Sequence, residues 1–95
     1  MYDIRVGYRF RWNAWNVEHV GKHGVAPAEA EHVVDHATRP YPRYEGHGKY
    51  VVRGRAQYGR YVQIIYIFDP EDEVFVIHAR PLTDNEKRQL RRSRR

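Results

Sequence analysis

The stretch Tyr61-Val-Gln-Ile-Ile-Tyr-Ile-Phe68, with the turns on either side of it, decides the fold. It is apolar at every position except Gln63, so it reads as a strand covered on both faces. Gln57-Tyr58-Gly59-Arg60 precedes it and Asp69-Pro70-Glu71-Asp72 follows it, both with hairpin-turn chemistry. Tyr50 to Ala56 on one side and Glu73 to Arg80 on the other then become its neighbours. Three strands joined by short turns predict an antiparallel sheet.

Working outward, residues 2 to 12 alternate. Ile4, Val6, Tyr8, Phe10 and Trp12 point one way, and Asp3, Arg5, Gly7, Arg9 and Arg11 the other. Period two over this length predicts a half-buried strand. Asn13 is placed as the N-cap of a helix from Ala14 to His23, with Gly24 as its C-terminal stop. Pro27 suits the first turn of a second helix that runs to about Ala37. Thr38 to Gly48 holds Pro40, Pro42, Gly46 and Gly48 and reads as an irregular connection. Pro81 ends the last strand. Thr83-Asp84-Asn85-Glu86 is a capping box that opens a final helix. The expected order is β-α-α-β-β-β-α. The expected class is α+β, with helices on one side of the sheet: an antiparallel sheet of about four strands packed on two N-terminal helices, with the basic helix at the C-terminus.

The chain has 95 residues, which fits one domain, 1–95, with a basic tail from about 91. It has no cysteine, which excludes disulfides and Cys-based metal sites. No signal-peptide pattern opens it, and its longest apolar run, Ile64 to Phe68, is far short of a membrane span. A soluble, cytoplasmic protein with no membrane partner is expected. The net charge of +5 lies in residues 85–95, where six basic side chains face only Glu86; the other 84 residues balance to zero. Such a run attracts polyanions or acidic partners, or is simply a solvated tail.

Three constellations can carry chemistry. His19/His23 and His32/His36 are i, i+4 pairs, a spacing that zinc accepts. Neither pair has HExxH order and no carboxylate ligand accompanies them, so they read as surface or capping histidines. No metal and no cofactor is expected. Arg53 and Arg55 share one strand face, His78 and Arg80 another, and Arg60 lies at the hairpin. Lys49 and Tyr50 join this region if the strands pair as consecutive hairpins. Guanidinium forks suit phosphate, although they can equally pair with Glu71, Asp72 and Glu73. Finally, Tyr41, Tyr44, Tyr50, Tyr58 and Tyr61 interleave with cations, a pattern that can stack unpaired bases or merely pack.

These residues, in this order, resemble a known family. Trp12-Asn-Ala-Trp-Asn-Val-Glu-His-Val-Gly-Lys-His-Gly-Val25 is similar to the opening of BrnT-like toxins, which runs from an aromatic-Trp-Asp start to Lys-His-Gly-Val. Lys49-Tyr-Val-Val-Arg-Gly-Arg55, Gly59-Arg60, Val76-Ile-His-Ala-Arg80 and Thr83-x-x-Glu86 resemble its later half. The likeness covers roughly residues 10 to 92 and implies a RelE-like fold. It also implies a metal-independent endoribonuclease toxin with an RNA substrate, inhibited by a BrnA-like ribbon-helix-helix antitoxin. Arg55, Arg60 and Arg80 fall on basic positions of the family pattern, and Lys49 on a commonly basic one. Two positions depart from it: Leu90 stands where a tyrosine is frequent, and His78 where a small hydroxyl residue is frequent.

On that reading Arg55 and Arg80 stabilise the phosphorane, His78 moves the proton, and Lys49 completes the catalytic set. Arg53, Arg60, Lys87, Arg88 and Arg91 bind flanking RNA. The alternatives are a nucleic-acid-binding module without catalysis, and a degenerate toxin that keeps only its antitoxin contact.

Overall fold

The computed structural model describes residues 7–93. Two helices come first, α1 (Ala14–Gly21) and α2 (Pro27–Asp35). Four strands follow: β1 (Arg43–Gly46), β2 (Lys49–Arg55), β3 (Tyr61–Phe68) and β4 (Val74–Pro81). Helix α3 (Asp84–Ser93) closes the described chain. The strands form one antiparallel sheet in the order β1-β2-β3-β4, so the chain is an α+β fold.

The apolar stretch from Tyr61 to Phe68 is the interior strand β3, as its composition predicts. Its neighbours also fall close to their expected bounds. The alternation of side chains then sorts the sheet into two faces. Val52, Gly54, Val62, Ile64, Tyr66, Val76 and Ala79 lie on one face by register. That face carries the larger part of the core, together with Val20, Val25, Ala30, Val33 and Val34. Helix α2 lies on it. A Cβ at Gly54 would sit 3.4 Å from Val33 Cγ1, so the missing side chain lets α2 approach β2 closely. The other face shows Val51, Arg53, Arg55, Tyr61, Gln63, Ile65, His78 and Arg80. Helix α3 crosses this second face, and α1 packs beside β4.

Three expectations are corrected. Of the strand expected at residues 2–12, residues 2–6 lie outside the described residues. In residues 7–12 only Phe10 forms a bridge, an isolated parallel one to Val74. Tyr8 N–H goes instead to Asp35 Oδ1 at the end of α2 (3.1 Å), and Asn13 already begins α1. The alternation survives as sidedness, because Phe10 and Trp12 pack against the core while Arg9 and Arg11 stay exposed. The fourth strand is β1, within the segment expected to be irregular. Gly46, His47 and Gly48 all have positive φ (91°, 55° and 76°), which folds Tyr44 back onto Tyr50. The helices also lie on both faces of the sheet, where one layer was expected, because the short link Leu82-Thr83 turns α3 onto the arginine-bearing face.

Helix α1 depends on a buried polar device. Asn13 Oδ1 accepts from Asn16 N–H (3.1 Å), and Asn16 Oδ1 accepts from Asn13 N–H (2.7 Å). Asn16 Nδ2 also donates to Arg11 O (3.1 Å), and the residue is fully buried. Asn16→Ala takes the partner from the Asn13 N–H and the Arg11 carbonyl and empties a fully buried site. It is expected to cost about 2 kcal/mol, read as a lower urea midpoint with an unchanged m-value.

Candidate nucleic-acid interface

Cross-strand register builds a row on the second face. Arg53 pairs with Gln63, and Gln63 with Arg80, so two guanidinium groups from β2 and β4 flank an amide on β3. Arg53 Nε donates to Gln63 Oε1 at 2.9 Å. One carboxylate from α3 closes the row. Glu86 accepts from Arg80 end-on, at 2.8 Å through each of Nη1 and Nη2, and from Arg53 Nη2 at 3.3 Å. It also completes the expected capping box, accepting from Thr83 N–H at 2.9 Å while Thr83 Oγ1 accepts from Glu86 N–H. The Arg80 hydrogen bonds, followed by the Thr83 amide, hold the Glu86 carboxyl down to about 2. Leu90, one turn further along α3, is 3% exposed and anchors the helix.

Arg80 is therefore engaged, but not exhausted. A guanidinium has five N–H donors. Two at Nη1 go to Glu86 and Pro81 O, and one at Nη2 goes to Glu86. Among the described residues nothing accepts from Nε or from the second hydrogen of Nη2. That side-on edge is the fork that binds an oxyanion through two bonds.

His78 sits two residues before Arg80 on the same face, opposite Ile65. Its ring meets His23 edge-on, with centroids 5.7 Å apart. Burial, then the neighbouring His23 and Arg80, lower its pKa below the usual 6.5. A neutral imidazole accepts a proton, so the arrangement favours His78 as a base.

The remaining expected site residues scatter. Arg55 shares the face but lies two strands from Arg80, its Nη2 curled over Gly59, exposed and without a side-chain partner among the described residues. Lys49 starts β2 while Arg55 ends it, so the two stand about 20 Å apart. Arg60 is on the α2 side of the molecule. It clasps Glu29 through two bonds of 2.7 Å and Gly24 O at 2.6 Å, at the rim of a 610 Å³ cavity that Tyr58 also lines. On α3, Lys87 is 3.5 Å from Asp84, whereas Arg88 and Arg91 are exposed and unpaired among the described residues, as is Arg92 beside them.

The tyrosines do not form one platform. Tyr41 is buried, and Tyr44 and Tyr50 join Tyr66 and Phe68 in an aromatic cluster on the opposite face from Arg80. Sequence reasoning missed a different stack. His19 lies on Trp15 with centroids 3.8 Å apart, and Trp15 runs nearly parallel to Phe75 at 6.0 Å. The i, i+4 spacing of Trp15 and His19 was the available signal. His32 and His36 stack on each other in the same way (4.1 Å). Among the described residues no three His, Asp or Glu side chains are grouped to hold a metal, and no helix is long and apolar enough to cross a membrane. Comparison with known protein families, curated proteins and solved structures finds no match to this chain.

Proposed function

We propose that this chain is a cytoplasmic, metal-independent endoribonuclease with a RelE-like arrangement of its α+β fold, a BrnT-like toxin held inactive by a ribbon-helix-helix partner. The observation that carries the reading is the pairing of a neutral-leaning His78 with the open side-on edge of Arg80 on one strand face. RNA supplies its own nucleophile. His78 takes the proton of the 2′-hydroxyl, the 2′-oxygen bonds to phosphorus, and the bond to the 5′-oxygen breaks. The leaving oxygen takes a proton from water, and a 2′,3′-cyclic phosphate remains. Arg80 donates to the phosphorane oxygens as charge builds there, the step at which a preorganised donor counts most. Arg53, braced by Gln63, supports Arg80 through their shared Glu86, and Arg55 and Lys49 hold flanking backbone.

Incubating the protein with single-stranded RNA in EDTA tests this directly. Cyclic-phosphate ends are expected, and a single 2′-deoxy substitution at the cut site abolishes that cut. RNA left intact by the wild-type protein, with and without added divalent ions, overturns the nuclease reading.

A second reading, binding without cleavage, is favoured by one observation: Glu86 already occupies the end-on fork of Arg80. Both readings place RNA phosphates on the outer side of α3. Replacing Lys87, Arg88 and Arg91 together by glutamine is expected to reduce the slope of log affinity against log salt by about 2 on single strands, at about 0.7 per lost phosphate contact. An unchanged slope removes α3 from the interface.

A further inference from the structure

Trp15 is 47% exposed, an unusual position for the largest side chain of a short helix, and it is not left loose. His19 Nδ1–H donates to Trp15 O at 2.9 Å, which pins the imidazole flat against the indole. On the strand side Phe75 lies nearly parallel to the indole (17°), with the Arg11 guanidinium 4.3 Å above the Phe75 ring. Further along the same seam His23 meets His78. The α1/β4 seam is thus a line of planar groups, Arg11, Phe75, Trp15, His19, His23 and His78, ending beside Arg80. From Phe75 to Arg80 it follows about 17 Å of strand.

We infer that this seam is a stacking track for unpaired nucleobases, with Trp15 as its principal platform, delivering a single strand to His78. The inference rests on the RNA-directed reading above and adds the subsite that orients the substrate. Three observations select a nucleic-acid strand over an apolar protein segment. The exposed rings are held rigidly, so stacking on them costs little ordering entropy. Their polar edges are imidazoles, and Lys22 stands exposed one turn beyond Glu18, the one acid of α1. The track is continuous with the open oxyanion-binding edge of Arg80, which suits the phosphates that accompany bases. Trp12 cannot serve this purpose. Its indole N–H is held by Glu31 Oε2 (2.8 Å) and its ring packs against the core.

The test uses the full chain and a short 2′-deoxy single-stranded oligonucleotide, which binds without being cut. Binding is expected to quench the indole emission of the wild-type protein. Trp15→Ala should weaken binding about tenfold, the effect of losing one stacked base. Trp15→Phe keeps a ring and should keep affinity within about threefold while abolishing the quench, because Trp12 is shielded. His19→Ala frees the indole and should weaken binding less than Trp15→Ala. Far-UV circular dichroism confirms that each variant is folded, and the exposure of Trp15 makes this the expected result. If Trp15→Ala binds the oligonucleotide as tightly as the wild type, the track is refuted, even where RNA cleavage persists; Trp15 then belongs to a protein contact. If the oligonucleotide binds through Trp15 while RNA remains uncut, the track stands and the nuclease reading falls.

Discussion

Replacing His78 by alanine is expected to slow RNA cleavage by about 10²- to 10³-fold, the usual contribution of a positioned proton acceptor. Affinity for an uncleavable oligonucleotide should change far less, since no phosphate contact is assigned to the imidazole. The pH profile carries the stronger diagnosis. Burial, then His23 in the turn just after α1 and Arg80 on its own strand, lower the His78 pKa; Glu86, from α3, pairs with that Arg80. A base must be neutral to act. Activity should therefore hold as pH drops through 6.5, the ordinary value for the group, and fall only on its acid side. His23→Ala removes a repelling neighbour and opens the ring to water. Both changes raise the His78 pKa, so the acid limb should move up toward 6.5. An alanine variant that cleaves at the wild-type rate removes the base role and leaves Arg80 to act alone.

The same site shows which parts of the architecture the sequence makes legible. Strand β3 falls at its expected bounds because an apolar run flanked by turn residues has few other uses in so short a chain. Residues 7–12 show the limit of that method. Period two reports which side chains face inward, and Phe10 and Trp12 do. It does not report hydrogen-bond partners, and here Asp35 takes the amide of Tyr8 away from the sheet. Strand β1 was hidden for the opposite reason. Pro40, Pro42, Gly46 and Gly48 read as breakers, yet the glycines make the hairpin that pairs Tyr44 with Tyr50.

Site residues divide in the same manner. His78 and Arg80 share a face by strand spacing alone, so their juxtaposition was readable. Arg60 was not. Its clasp with Glu29 joins a hairpin to a helix 31 residues away, and only folding decides whether that cation faces ligand or carboxylate. Glu86 was legible as a cap and illegible as a counter-ion, because one carboxylate serves both roles through different lone pairs.

That double duty makes Glu86 the residue whose loss should move stability and binding in opposite directions. Glu86→Ala leaves two guanidinium groups facing one another, with side chains only 18% and 28% exposed, and removes the cap of α3. The combined cost is expected to be about 3 kcal/mol, a fall in melting temperature of roughly 12–24 °C for a domain of this size. At a temperature where both proteins are folded, the variant should nevertheless bind single-stranded RNA several-fold more tightly. Its salt slope should be steeper by about 0.7 to 1.4, as one or both released arginines meet phosphate. Acid separates the two contributions. The Glu86 pKa is depressed from 4.5 to about 2, so its stabilisation is fully present above 4.5 and drains away as pH falls toward 2. Wild-type protein should lose about 2 kcal/mol across that window beyond what Glu86→Gln loses, because the amide does not titrate there. Parallel acid melts of the two proteins would instead place the strength of α3 in Leu90 and reduce Glu86 to an incidental neighbour of the arginines. A variant that is destabilised yet binds RNA no better would show that Arg53 and Arg80 are structural partners of α3, and would leave the phosphate contacts to its outer face alone.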